Sequence, residues 1–147
     1  MKKFKIKYEP DGFDEEGNKI PDIPIIYLVL ETRRARGKGP AVIDTGFDGG
    51  VYPNYKVIQL LRGLKPVKTK RLEHPLYGYI PCEIYRVRAS IADPTYEKIV
   101  PIGEVNIYTP TEPEYINEEV LVGREILNNL KIILNGKWAE ICLCSQP

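Results

Sequence analysis

The sequence predicts an all-β domain with one or two short helices, on three observations. Ten tyrosines, many β-branched residues and 13 prolines describe strands punctuated by turns. Apolar residues alternate with charged ones in the first eight residues, and a period of two returns from Tyr85. Near the end, Asn135-Gly136 separates two apolar runs, the strongest short hairpin signal. At 147 residues the chain reads as one domain, 1–147, large enough to bury a core without disulfides or metals.

Each element follows in order. Phe4, Ile6 and Tyr8 alternate with Lys3, Lys5 and Lys7, as in a half-buried strand. Residues 10–19 hold Pro10, Asp11-Gly12 and Gly17-Asn18, which is turn chemistry in an acidic connector. Pro24 to Glu31 is short and almost wholly apolar, which suits a strand buried on both faces. Arg33 to Gly39 reads as a basic, solvated hairpin turn leading into the strand Pro40 to Ile43. A loop follows from Asp44 to Gly50. Tyr55, Ile58 and Leu61 recur at helical spacing and Gly63 can cap the end, predicting a short helix over 54–62. Lys65 to Arg71 is a basic segment. Tyr85, Val87, Ala89 and Ile91 then share one strand face. Within Ile99 to Tyr108, Pro101 and Gly103 predict an edge or a bulge. Residues 109–118 form a Pro- and Glu-rich loop. Val120 to Val122 is apolar, and Arg124 to Leu130 sets Ile126, Leu127 and Leu130 on one helical face. Lys131 to Leu134 and Lys137 to Leu143 make the final hairpin.

Composition excludes several functions. A net charge of +1 provides no strong field toward nucleic acid or membrane. The longest apolar stretch, Ile23 to Leu30, is interrupted by Pro24 and too short to span a bilayer. Met1 to Tyr8 lacks a signal-peptide core, so a cytoplasmic location is expected. Cys82, Cys142 and Cys144 then read as reduced, buried thiols. One histidine, His74, excludes a His-rich zinc site and argues against a Cys/His one. It also removes Ser-His-Asp and Cys-His catalysis unless His74 carries it alone. Carboxylates remain as the source of acid–base chemistry.

One carboxylate has the right setting. In Pro40-Ala41-Val42-Ile43-Asp44-Thr45-Gly46 an apolar strand delivers an acid onto a loop. Gly46 permits a tight turn whose N–H can approach the carboxylate, and the Thr45 hydroxyl can anchor the loop. A single carboxylate cannot both activate water and protonate a leaving amide. Two of them a few ångströms apart cannot both ionise, so an acid and a base coexist.

A second motif lies late in the chain, Leu121-Val122-Gly123-Arg124-Glu125-Ile126-Leu127. With Val42-Ile43-Asp44-Thr45-Gly46 it resembles the retropepsin-like aspartic proteases of cellular and prokaryotic type, and Phe47-Asp48-Gly49-Gly50 looks like the prokaryotic variant of the loop. The resemblance covers about residues 24–143, with the strand and connector of 1–23 outside it or peripheral to it. It implies a closed β-barrel forming one half of an acid protease, with Asp44 catalytic and Thr45 and Gly46 supporting the active-site loop. Gly46, Asp48 and Gly49 would bind substrate, and Asp48 would form a salt bridge with Arg124. Gly123 would let the chain pack behind the loop. A flap is expected at Tyr77, Gly78 and Tyr79, although one glycine between Pro75 and Pro81 departs from the glycine-rich viral flap. The chain has a single Asp-Thr-Gly, so the implied partner is a second copy, a homodimer with one site on its axis. The implied substrate is an extended peptide, with no metal or cofactor, no nucleic acid and no membrane.

Plainer readings stand beside these. Arg33 to Lys38 and Arg62 to Arg71 read as solvated loops rather than nucleic-acid contacts, His74 as a surface or flap-base residue, and Trp138 as core or interface. Tyr77 and Tyr79 fit an ordinary hairpin core equally well. A non-catalytic dimeric peptide- or protein-binding module, and a monomeric nucleic-acid-binding barrel, are the competing functions.

Overall fold

The computed structural model describes residues 2–74, 76 and 78–143, the side chains of Lys2 and His74 excepted. Tyr77 of the expected flap and Cys144 lie outside the described residues. The strands are β1 (Lys2–Lys7), β2 (Ile25–Glu31), β3 (Arg36–Ile43), β4 (Val51–Tyr52), β5 (Lys68–His74), β6 (Gly78–Ala92), β7 (Ile99–Pro110), β8 (Leu121–Val122), β9 (Lys131–Leu134) and β10 (Trp138–Leu143). Two short helices, α1 (Tyr55–Leu60) and α2 (Arg124–Leu127), interrupt them.

The main sheet has the order β2-β3-β8-β4-β7-β6-β5, and β2 also pairs with β6. That last pairing closes a ring, and β5 hangs from it as an outer edge. The fold is therefore all-β, as the tyrosine and proline pattern predicts, and its main sheet is ring-like. A separate sheet, β1-β10-β9, joins the two ends of the chain, with Phe4 opposite Ile141. Phe4, Ile6, Ala139 and Ile141 from this sheet pack into the same buried cluster as Ile26, Leu28, Ile91 and Val122 of the ring. No helix among the described residues is long and apolar enough to cross a membrane.

Local chemistry explains where these elements begin and end. The Asn54 side chain accepts the Val57 N–H at 3.1 Å, which caps α1 and starts it where a free donor needs a partner. In β7 the register passes from Ala89–Gly103 to Ser90–Pro101, leaving Ile102 as the extra residue of the expected bulge. Two basic segments depart from their reading as loops. Arg36 to Gly39 already belongs to β3, and the turn shrinks to Thr32–Ala35, held by the Thr32 hydroxyl accepting the Ala35 N–H at 3.1 Å. At Gly37 a Cβ would meet Leu60 Cδ1 of α1 at 2.5 Å, so the strand lies close against that side chain. Lys68 to Arg71 belongs to β5, where exposed Lys and Arg stems protect an edge strand while Leu72 turns inward.

β5 and β6 form a long antiparallel hairpin, paired from Lys68–Ile84 to His74–Gly78. Under it lies a second buried cluster of Tyr52, Leu72, Ile80, Cys82, Ile84 and Tyr108, with Phe47 and Leu121 packed against it. This smaller core connects the hairpin to the loop that carries Asp44.

Candidate active site

The topology brings the two sequence motifs together. β8 lies between β3 and β4, parallel to the first and antiparallel to the second. The loop from Asp44 to Gly50 joins β3 to β4, so it must arch over the end of β8. The chain leaving β8 therefore enters α2 directly beneath that arch.

Backbone hydrogen bonds stitch the two segments. The Asp44 N–H donates to Val122 O at 3.0 Å, and the Gly123 N–H to Gly50 O at 2.8 Å. The Arg124 N–H donates to Phe47 O at 2.8 Å and the Glu125 N–H to Gly49 O at 3.1 Å. Those two donors open a helix, where intrahelical partners are missing, so the loop and the helix end satisfy one another. The fit depends on Gly123. A Cβ there would lie 2.6 Å from Phe47 O and closer still to Gly49 O.

Within the loop, Asp44 Oδ1 accepts the Gly46 N–H at 3.0 Å. The carboxylate is half-buried and faces a cleft of about 520 Å³. Gly46, Phe47, Asp48 and Tyr52 line the same cleft, as do Leu72, Glu73 and Ile80 of the hairpin and Glu114 to Asn117. Leu72 and Ile80 are cross-strand partners, so the hairpin contributes an apolar pair to the cleft that Asp44 faces. Gly78 at the end of β6 is exposed with φ +79°, and exposed Tyr79 carries Arg71 against its ring at 4.9 Å.

Two expected details differ, at Asp48 and at Gly49. Asp48 and Arg124 form no ion pair; the Arg124 guanidinium donates instead to the Thr45 carbonyl at 2.6 Å. The helix start holds Arg124 under the loop, within reach of the main chain at Thr45. Gly49 is buried behind the loop rather than lining the cleft, because Phe47 and Tyr108 occupy the space a Cβ would need. Thr45 is exposed, and its hydroxyl has no partner among the described residues.

Other supporting residues carry no signal in the sequence pattern. Phe47 meets Tyr52 and Tyr108 edge to face, with centroids 6.0 and 5.6 Å apart. The Tyr52 hydroxyl donates to Tyr115 O at 2.5 Å, tying the floor of the cleft to its 113–117 wall; burial pushes that hydroxyl up to about 12. The Tyr108 hydroxyl donates to Glu125 Oε2 at 2.5 Å. Burial first, then the Glu125 hydrogen bond and charge, raise it far above the ordinary tyrosine value. Glu125 sits inside the late motif, which could have flagged it; Tyr52 and Tyr108 look like ordinary strand residues.

No family model and no curated protein matches the chain. Among solved structures, the crystal structure of a retropepsin-like aspartic protease from Rickettsia conorii superimposes with a TM-score of 0.51 at 12% identity, covering 95% of this chain and 91% of that one. At that identity the likeness is one of fold: the chain has a mostly β, retropepsin-like fold.

Proposed function

We propose that the chain is one half of an aspartic-type endopeptidase, with Asp44 of two copies facing each other across a two-fold axis. The observation that carries this is the Asp44 carboxylate, oriented by the Gly46 N–H at 3.0 Å on a loop stitched to the late motif and set in a cleft. A structural neighbour described as an aspartic protease adds support at the level of fold.

The chemistry follows from the pairing. Two carboxylates sharing one site cannot both ionise, the effect for which aspartic protease dyads are the standard example. One carboxylate takes a proton from a water held between them, and the water oxygen attacks the peptide carbonyl carbon. The protonated partner polarises the carbonyl oxygen, and a proton then passes to the leaving nitrogen as the C–N bond breaks. On this reading the exposed Thr45 hydroxyl would hydrogen-bond across the dimer axis. The β5–β6 hairpin acts as the cover that excludes water over a bound, extended peptide.

The test is cleavage of a quenched peptide library by the purified chain and by D44N, from acid to neutral pH. Cleavage should fall about 10³-fold or more in D44N with the fold retained. Sedimentation should give twice 16.8 kDa. A chain that stays monomeric and cleaves nothing overturns the reading, whereas a dimer that binds peptides unchanged in D44N establishes the binding module instead.

A further inference from the structure

Among the described residues, the charged side chains lining the Asp44 cleft are Asp44, Asp48, Glu73 and Glu114, with no Lys or Arg. This is a local bias, because the whole chain carries 21 Lys and Arg against 20 Asp and Glu. Two cations of the hairpin lie on aromatic faces, Lys70 over Tyr108 at 5.7 Å and Arg71 over Tyr79 at 4.9 Å, and the Arg124 guanidinium is held by the Thr45 carbonyl. Tyr52, Leu72, Ile80 and Leu121 add apolar surface to the same cleft. Glu73 and Glu114 are exposed, on the hairpin and on the 113–117 wall.

We infer that the cleft selects peptides presenting lysine or arginine to this surface. The inference rests on the proteolytic reading of the same cleft and adds the substrate class. A long cationic side chain suits both features at once. Its methylene stem packs on the apolar surface while its head remains at the wet, acidic rim. A two-fold axis would repeat the same carboxylates on the other side, deepening the negative field that gathers cationic peptides. An acidic side chain in the same place meets like charges and is rejected.

The test separates binding from cleavage. D44N is titrated with two otherwise identical peptides, one with lysine and one with norleucine at the central position, and with a third carrying glutamate. The lysine peptide should bind about tenfold more tightly than the norleucine peptide, from two exposed ion pairs of about threefold each. The double variant E73Q/E114Q should reduce that ratio to near one. Both substitutions are on exposed side chains, and added salt must erode the lysine preference of the unsubstituted rim independently of any variant. Equal affinities for lysine and norleucine, an unchanged ratio in E73Q/E114Q, or no detectable lysine-peptide binding overturns the inference. Preserved lysine selectivity in a chain that cleaves no peptide would instead overturn proteolysis and leave the selectivity standing.

Discussion

The guanidinium of Arg124 holds the main-chain carbonyl of Thr45 at 2.6 Å, one residue beyond Asp44. The late motif thus reaches the loop that carries Asp44 through its backbone rather than through the Asp48 carboxylate. A carbonyl acceptor cannot be removed by changing a side chain, so the tie is indifferent to what residue 48 is.

This arrangement separates two substitutions. R124M should cost about 1–2 kcal/mol of stability, the range of a hydrogen bond from a charged group at an exposed site. D48N should stay within about 0.5 kcal/mol. Urea unfolding of both single variants and the double variant measures this. Equal losses that fail to add in the double variant would establish the ion pair instead.

Gly123 makes a sharper prediction. A methyl there meets Phe47 O at 2.6 Å and the Gly49 carbonyl closer still, both main-chain atoms that cannot rotate away. G123A should therefore lose about 2–4 kcal/mol and most activity together. G39A is the control, since a Cβ at Gly39 meets nothing within 4 Å. It should unfold within about 0.5 kcal/mol of the parent. A tolerated G123A would mean that the loop can lift off α2.

These two positions also mark how far the sequence could be read. Val42 to Gly46 and Leu121 to Leu127 were legible as motifs because their residue types answer local needs: an apolar strand, an acid, a glycine at a close approach. The terminal hairpin was legible because Asn-Gly turns are local. Hidden were features set by partners distant in the chain. Gly49 reads as a cleft residue until Tyr108 of β7 is seen closing over it. Gly37 and Gly39 read as turn formers, whereas Gly37 is a slot for Leu60 in a paired strand. β5 was obscured by its own cations, because an edge strand with long charged stems lacks a simple apolar alternation. The acceptor of Arg124 could not be read from spacing, since a guanidinium on a helix start reaches several oxygens.

Alkaline stability should report on the cluster beneath the hairpin. Burial pushes the Cys82 thiol from 9.0 up to about 11, and the Tyr52 hydroxyl from 10.0 up to about 12, with the Cys82 and Tyr115 charges adding at Tyr52. The folded chain holds both protons more tightly than the unfolded chain. Their contribution is whole below 9.0 and is lost as pH rises through the folded values near 11 and 12. Melting temperature should fall across that window, less steeply in C82A once its lower starting stability is subtracted. At mildly alkaline pH Cys82 should resist iodoacetamide in the native chain and react fully in urea. Rapid native alkylation of Cys82 would contradict its burial.

Glu119 should give the opposite end of the pH scale. It precedes Val120, whose carbonyl accepts the Val42 N–H at 2.7 Å, so it lies next to the pairing that positions β3. Burial raises its carboxyl above 4.5, followed by the charge of and hydrogen bond to Asp11 and the charges of Glu118 and Glu9. A raised carboxyl stabilises the fold fully below its unfolded value, and that contribution is lost as pH rises through the folded value. At neutral pH an ionised Glu119 therefore faces like charges from the connector. E119Q removes that repulsion and should raise Tm by roughly 1–2 °C at neutral pH, a small gain because the group is largely exposed. Below 4.5 the gain should vanish, since the parent side chain is then protonated as well. D11N should move Tm in the same direction, and the double variant should gain less than the sum because the two share one interaction. A gain that persists unchanged into acid would assign the effect to packing rather than to the proton.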